Sequence, residues 1–246
     1  MGDNLRIQKT HKMREYTMIS SRNLRSLWML LLTLGLMLGA KAGAASVPQA
    51  PEQLMSEVSQ RLIETLKRER DAVRSRPQHM FDLVDQVLGP HVDFPRMSGW
   101  VLGKHWRQAS AEQRQRFIAA FRVMMVRFYT AALLEDPKQL DDLLARNDEL
   151  ITFLPGRPAE GDTTTVRSEV HLDGGKVVQV LFAVHNRDGD WKVYDVTVEG
   201  VSLVTNYRTS FAQEITQVGI DGLISRLEDR NQALMDQVVN GTKATQ

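Results

Sequence analysis

Thr163 to Val198 reads TTTVRSEVHLDGGKVVQVLFAVHNRDGDWKVYDVTV, and its period decides the fold. Thr164, Val166, Ser168, Val170 and Leu172 alternate with Thr165, Arg167, Glu169 and His171, the period of two that marks a strand with one wet face. Asp173-Gly174-Gly175 is a tight hairpin signal. The next run places Val178, Val180, Phe182 and Val184 on one face and Val177, Leu181 and Ala183 on the other. Arg187-Asp188-Gly189 turns the chain again, and Trp191, Val193, Tyr194, Val196 and Val198 form a third hairpin-linked strand. With Leu150 to Leu154 upstream, the expectation is an antiparallel sheet of about four strands, ending at Gly200.

On both sides of this segment the period lengthens to that of a helix. Leu54, Val58, Leu62 and Leu66, widened by Met55 and Ile63, predict an amphipathic helix over roughly 52 to 73. Pro77 starts a shorter one with Phe81, Val84, Val87 and Leu88, which stops at Gly89-Pro90. Ser110 and Gln113 have capping-box spacing and open the most strongly patterned helix, with Phe117, Phe121, Met124, Met125, Phe128 and Ala132 on one face. Asp136-Pro137 breaks it, and Pro137 starts a further short helix with Leu140, Leu143 and Leu144. Beyond Thr205 the chain turns helical again through Tyr207, Phe211 and Ile215, and Gly219-Ile220-Asp221-Gly222 leads into a last helix. Helices, then a meander, then helices make an α+β domain.

The first 45 residues stand apart. They hold seven of the 31 basic residues and two of the 30 acidic ones, so the chain from Ser46 onward carries 24 against 28, a formal charge of −4. Leu27 to Leu38 reads LWMLLLTLGLML, between Arg25 and a run of small residues at Ala40, Ala42, Ala44 and Ala45. A bilayer-spanning helix needs roughly 20 apolar residues, so this shorter run reads as a cleavable secretory signal over 1–45, cut after Ala42, Ala44 or Ala45, with the last two favoured. Residues 46–240 are then one exported domain and 241–246 a tail. An acidic body offers no basic face for nucleic acid.

Absence of cysteine removes disulfides, thiol nucleophiles and Cys-based zinc sites. His79, His91, His105, His171 and His185 show no metal-ligand spacing, and Asn186 to Asp190 fits a turn rather than a calcium loop, so neither metal nor cofactor is expected. Gly200-Val201-Ser202-Leu203-Val204 has the first glycine and the serine of a nucleophile elbow but lacks the second glycine. Ser202 is therefore read first as a helix cap, with a lipid esterase as the alternative. No catalytic residue is assigned.

Several strings together resemble the MlaC-type, or toluene-tolerance, family. Val101-Leu102-Gly103-Lys104-His105-Trp106-Arg107-Gln108-Ala109-Ser110-Ala111-Glu112-Gln113-Arg114 resembles its signature L-G-x-x-[WY]-[RK]-x-A-[ST]-x-x-Q-[RK], with Phe117 and Phe121 following. Trp191-Lys192-Val193-Tyr194-Asp195-Val196, Glu199-Gly200-Val201-Ser202-Leu203 and Gly219-Ile220-Asp221-Gly222-Leu223 add to it. The resemblance implies a periplasmic, monomeric phospholipid carrier that maintains outer-membrane lipid asymmetry. Its implied partners are phospholipid, an inner-membrane ABC transporter complex with an MCE-domain subunit, and an outer-membrane lipoprotein complex. The alternatives are the esterase using Ser202 and a cargo-free adaptor of an envelope complex. For a carrier, the expected pocket walls are Phe121, Met125 and Tyr129 from the long helix and Val180 and Phe182 from the sheet, with Val201 near the mouth.

Overall fold

The computed structural model describes residues 49–134, 137–146, 150–156, 161–172 and 175–244. The secretory signal expected over 1–45 and the Asp173-Gly174 half of the first hairpin turn lie outside the described residues.

Helices come first. They are α1 (Pro51–Arg68), α2 (Arg70–Ser75), α3 (Pro77–Leu88), a 3-10 turn at Gly89–His91, α4 (Phe94–Leu102), α5 (Lys104–Gln108), α6 (Ala111–Leu134) and α7 (Pro137–Arg146). The single helix expected over roughly 52 to 73 is two, because helical geometry lapses at Glu69 (φ −105°, ψ 19°). Both halves of the capping box form at the start of α6: the Ser110 backbone N–H donates to Gln113 Oε1 at 2.9 Å, and the Gln113 N–H donates to Ser110 Oγ at 3.1 Å.

Helices α4 and α5 were not foreseen from the hydrophobic period. Asp93 caps α4 by accepting from the Arg96 N–H at 2.8 Å, and Gly103, at φ 55°, ends it. Glycine is the residue that adopts this conformation without a Cβ penalty.

The sheet follows: β1 (Ile151–Leu154), β2 (Thr163–His171), β3 (Val177–Arg187), β4 (Asp190–Val198) and β5 (Val201–Ser202), antiparallel neighbours in chain order. The expected α+β meander is present with one more strand than the four anticipated. The extra one exists because Glu199 (φ 49°) and Gly200 (φ 81°) both take positive φ. Two such residues in succession make the hairpin turn whose twist suits its strands, so the chain reverses after Val198 and pairs Val201 with it.

Pairing of Val166 with Phe182, and of Phe182 with Val196, aligns the apolar residues of three strands on one face. A register shift between Ala183 and Val184 then brings Val184 opposite Val193. That bulge explains why β4 departs from strict alternation: Trp191 and Val193 share the inner face with Val196 although an extra residue separates them.

The last helix, α8 (Leu203–Ala244), contains one non-helical residue, Gly219 (φ 74°, ψ 179°), at the break expected there. Packing is divided. A helical core gathers Val101, Leu102, Phe117, Phe121, Phe211 and Leu223 from α4, α6 and α8. A separate sheet core holds Val166, Val184, Trp191 and Val193, covered by Leu54 and Met55 of α1.

Candidate functional site

Val92 packs against both the helical core and the sheet core, and thereby links them. Apolar side chains fringe each core without being enclosed by it: Met124, Met125 and Tyr207 on the helical side, and Phe153, Phe182 and Val196 on the sheet side. Val180 is buried, at 9% exposure, yet stands outside the clusters formed by the other buried apolar residues of the sheet.

The six expected wall residues fall at different depths. Phe121 is fully buried, at 0% exposure, in the helical core. Its ring stacks on Phe117 at 5.6 Å and meets Tyr207 and Phe211 edge-on at 5.7 and 6.2 Å. Met125, one helical turn on, is half-buried at the edge of that core. Tyr129, a further turn along α6, is exposed and sits edge-to-face with the exposed Phe128 at 5.2 Å. These three positions therefore run from core to surface along one helix face. On the sheet, Val180 and Phe182 share the inner face, and Phe182 lies 6.2 Å from Phe153. Val201, 57% exposed, sits on the two-residue edge strand that leads directly into α8.

Tyr207, absent from the expected wall, packs against the same helical core. It occupies the second turn of α8, one turn before Phe211, with ring centroids 5.4 Å apart. Its phenol is hydrogen-bonded to that of Tyr129, and burial pushes its ionisation well above the ordinary tyrosine range, with the Tyr129 bond acting in the same direction. The bond joins α6 to α8. Its spacing to Phe211 was a visible helical signal, but nothing in the period tells which face of α8 meets Tyr129.

Ser202 has the capping role. Its Oγ accepts from the Thr205 N–H at 3.0 Å and donates to Asp195 Oδ2 at 2.6 Å. The other Asp195 oxygen accepts from the N–H groups of Val196 and Val204, at 2.8 and 3.1 Å. Both bonds serve the start of α8, and His185, the histidine a Ser-His-Asp arrangement would draw on, is engaged elsewhere, 2.8 Å from Asp93. Ser202→Ala is expected to lower stability by about 1 kcal/mol through the lost cap while leaving lipid content unchanged, read by chemical denaturation and lipid analysis. Disappearance of an esterase turnover in this variant would reinstate the nucleophile.

Among the described residues no three His, Asp or Glu side chains are grouped to hold a metal ion, and no helix is long and apolar enough to cross a membrane.

Known proteins are similar to this chain. A toluene tolerance protein, ttg2D, of Pseudomonas putida is 30% identical over 174 residues, covering 70% of this chain and 76% of its own. The intermembrane phospholipid transport system binding protein MlaC of Haemophilus influenzae is 23% identical over 206 residues, covering 82% and 91%. The structure of a phospholipid-binding protein from Ralstonia solanacearum, in complex with a phospholipid, superposes with a TM-score of 0.64 at 28% identity, covering 76% of this chain and 99% of that one. The family model described as MlaC protein matches residues 56–229, a span from α1 into the second half of α8 that contains both apolar cores. With the whole sheet and its capping serine inside that match, the chain belongs to the MlaC family.

Proposed function

We propose that this protein is a phospholipid carrier, moving lipid between the inner and outer membranes and so maintaining outer-membrane lipid asymmetry. The observation that carries the reading is the half-buried apolar fringe on each of two cores that share Val92, in a chain of this family. Each buried CH₂ contributes ~0.8 kcal/mol, so the acyl chains of one phospholipid represent on the order of 20 kcal/mol of transfer free energy. A shallow surface groove would leave much of that exposed to water, whereas an interior between two layers removes it.

Phe182 and Val180 form the sheet wall of the pocket, Met125 and Tyr129 the helical wall, with Phe121 packed behind them, and Val201 stands at the mouth. The headgroup remains in water beside the Tyr129–Tyr207 phenols. Residues 1–45 direct the chain to the periplasm, where it acts as a monomer. There it exchanges cargo with an inner-membrane ABC transporter complex carrying an MCE-domain subunit and with an outer-membrane lipoprotein complex.

Deletion of the gene in its own host tests the reading. The expected result is a detergent-sensitive envelope, restored by the wild-type chain. A deletion strain with unaltered detergent resistance would overturn it.

A further inference from the structure

Beside the proposed mouth, positive charge gathers without counter-charge. From Phe94 to Arg114 stand Arg96, Lys104, Arg107 and Arg114 against one acid, Glu112, in a body whose net charge from Ser46 onward is negative. Asp93, just upstream, is committed to His185 and to the N-terminus of α4. Arg208 joins the group from α8: its Nε donates to the Trp100 carbonyl at 2.6 Å, tying the start of α8 to the end of α4.

These cations are held in ways that leave their charge available. Arg96 lies over the Tyr194 ring at 4.4 Å, and Arg114 lies over Trp106 at 5.3 Å while donating to the Trp106 carbonyl. Elsewhere Arg116, Arg122 and Arg226 meet carboxylates. Among the described residues, none of Arg96, Lys104, Arg107, Arg114 and Arg208 has a carboxylate within salt-bridge distance. A guanidinium has five N–H donors, and contacts with carbonyls and rings alone leave some of them for an outside anion. Within the same surface Trp100 is 45% exposed, its ring 5.2 Å from Tyr194.

An exposed indole among uncompensated cations matches the interface of a bilayer: the ring sits at headgroup depth and the cations on lipid phosphates. The position favours this partner. Arg208 follows the exposed Val201 on the chain by seven residues, so a surface that settles on headgroups holds the mouth near the bilayer that houses the complex with which cargo is exchanged.

We propose that the α4–α5 surface, formed by Trp100 with Arg96, Lys104, Arg107 and Arg208, docks on an anionic phospholipid bilayer. This rests on the carrier reading, but docking and cargo are measured separately.

The experiment uses protein purified after export of the full chain, floated with vesicles of phosphatidylglycerol and phosphatidylcholine or of phosphatidylcholine alone. Preferential binding to the anionic vesicles is expected, weakening steeply as salt rises and the cations are screened. Lys104→Glu with Arg107→Glu, both at exposed positions, should weaken that binding at least about tenfold while leaving the melt and the co-purified lipid unchanged. Equal binding to both vesicle types, or equal binding by the double variant, overturns the proposal. A double variant that binds vesicles normally yet fails in the cell would assign the surface to an acidic protein instead, which also overturns it. Patch-dependent vesicle binding by a protein that carries no lipid would leave docking standing and remove the carrier reading.

Discussion

Val201→Glu is expected to yield a folded protein that carries far less phospholipid than the wild type and fails to restore detergent resistance in the deletion strain. Val201 is exposed on a two-residue edge strand, and its side chain is not part of either core. Substitutions at such surface positions ordinarily change stability by less than about 0.5 kcal/mol, so the cooperative melt should survive. The effect on cargo is of another size. A carboxylate at the mouth must either be desolvated without a partner or be neutralised whenever an acyl chain passes, and either course costs several kcal/mol. Circular dichroism, a thermal melt and lipid analysis on the same preparation separate the two effects. Normal lipid loading in a folded Val201→Glu protein would show that the mouth lies elsewhere.

Phe121→Ala should act in the opposite way, on stability more than on cargo. The ring is fully buried and enclosed by Phe117, Tyr207 and Phe211, so its removal leaves a cavity in the helical core rather than a wider pocket. Phe→Ala in such a setting typically costs about 3 to 5 kcal/mol. Urea denaturation of lipid-bound and delipidated protein checks this, with the same large loss expected in both. A small loss confined to the lipid-bound form would mean that Phe121 faces cargo and not the core.

The contrast between these two residues marks the limit of what the chain reveals on its own. The meander was legible because Asp-Gly turns punctuate runs of period two, and the capping box of α6 was legible because a local hydrogen-bond pattern needs only local sequence. Helices α4 and α5 were not: each is short, Gly103 separates them, and the stripe of Phe94, Met97 and Val101 on α4 spans only two turns. The bulge opposite Ala183 and Val184 was equally hidden, since an inserted residue in β4 becomes visible only once β3 lies beside it.

Depth within the candidate site was hidden for the same reason. Phe121, Met125 and Tyr129 recur at helical spacing and look equivalent along α6, but α8 encloses the first with Tyr207 and Phe211, leaves the second at the core edge, and meets the third at its phenol. A helix period identifies a face; the partner element decides which part of that face is core.

Lipid extraction and mass analysis of the protein purified from its own periplasm, without detergent, tests the central claim most directly. The account predicts diacyl phospholipid in stoichiometric amount with the protein, lost from Val201→Glu and retained by Ser202→Ala. A folded, monomeric wild-type protein that yields no phospholipid would contradict it.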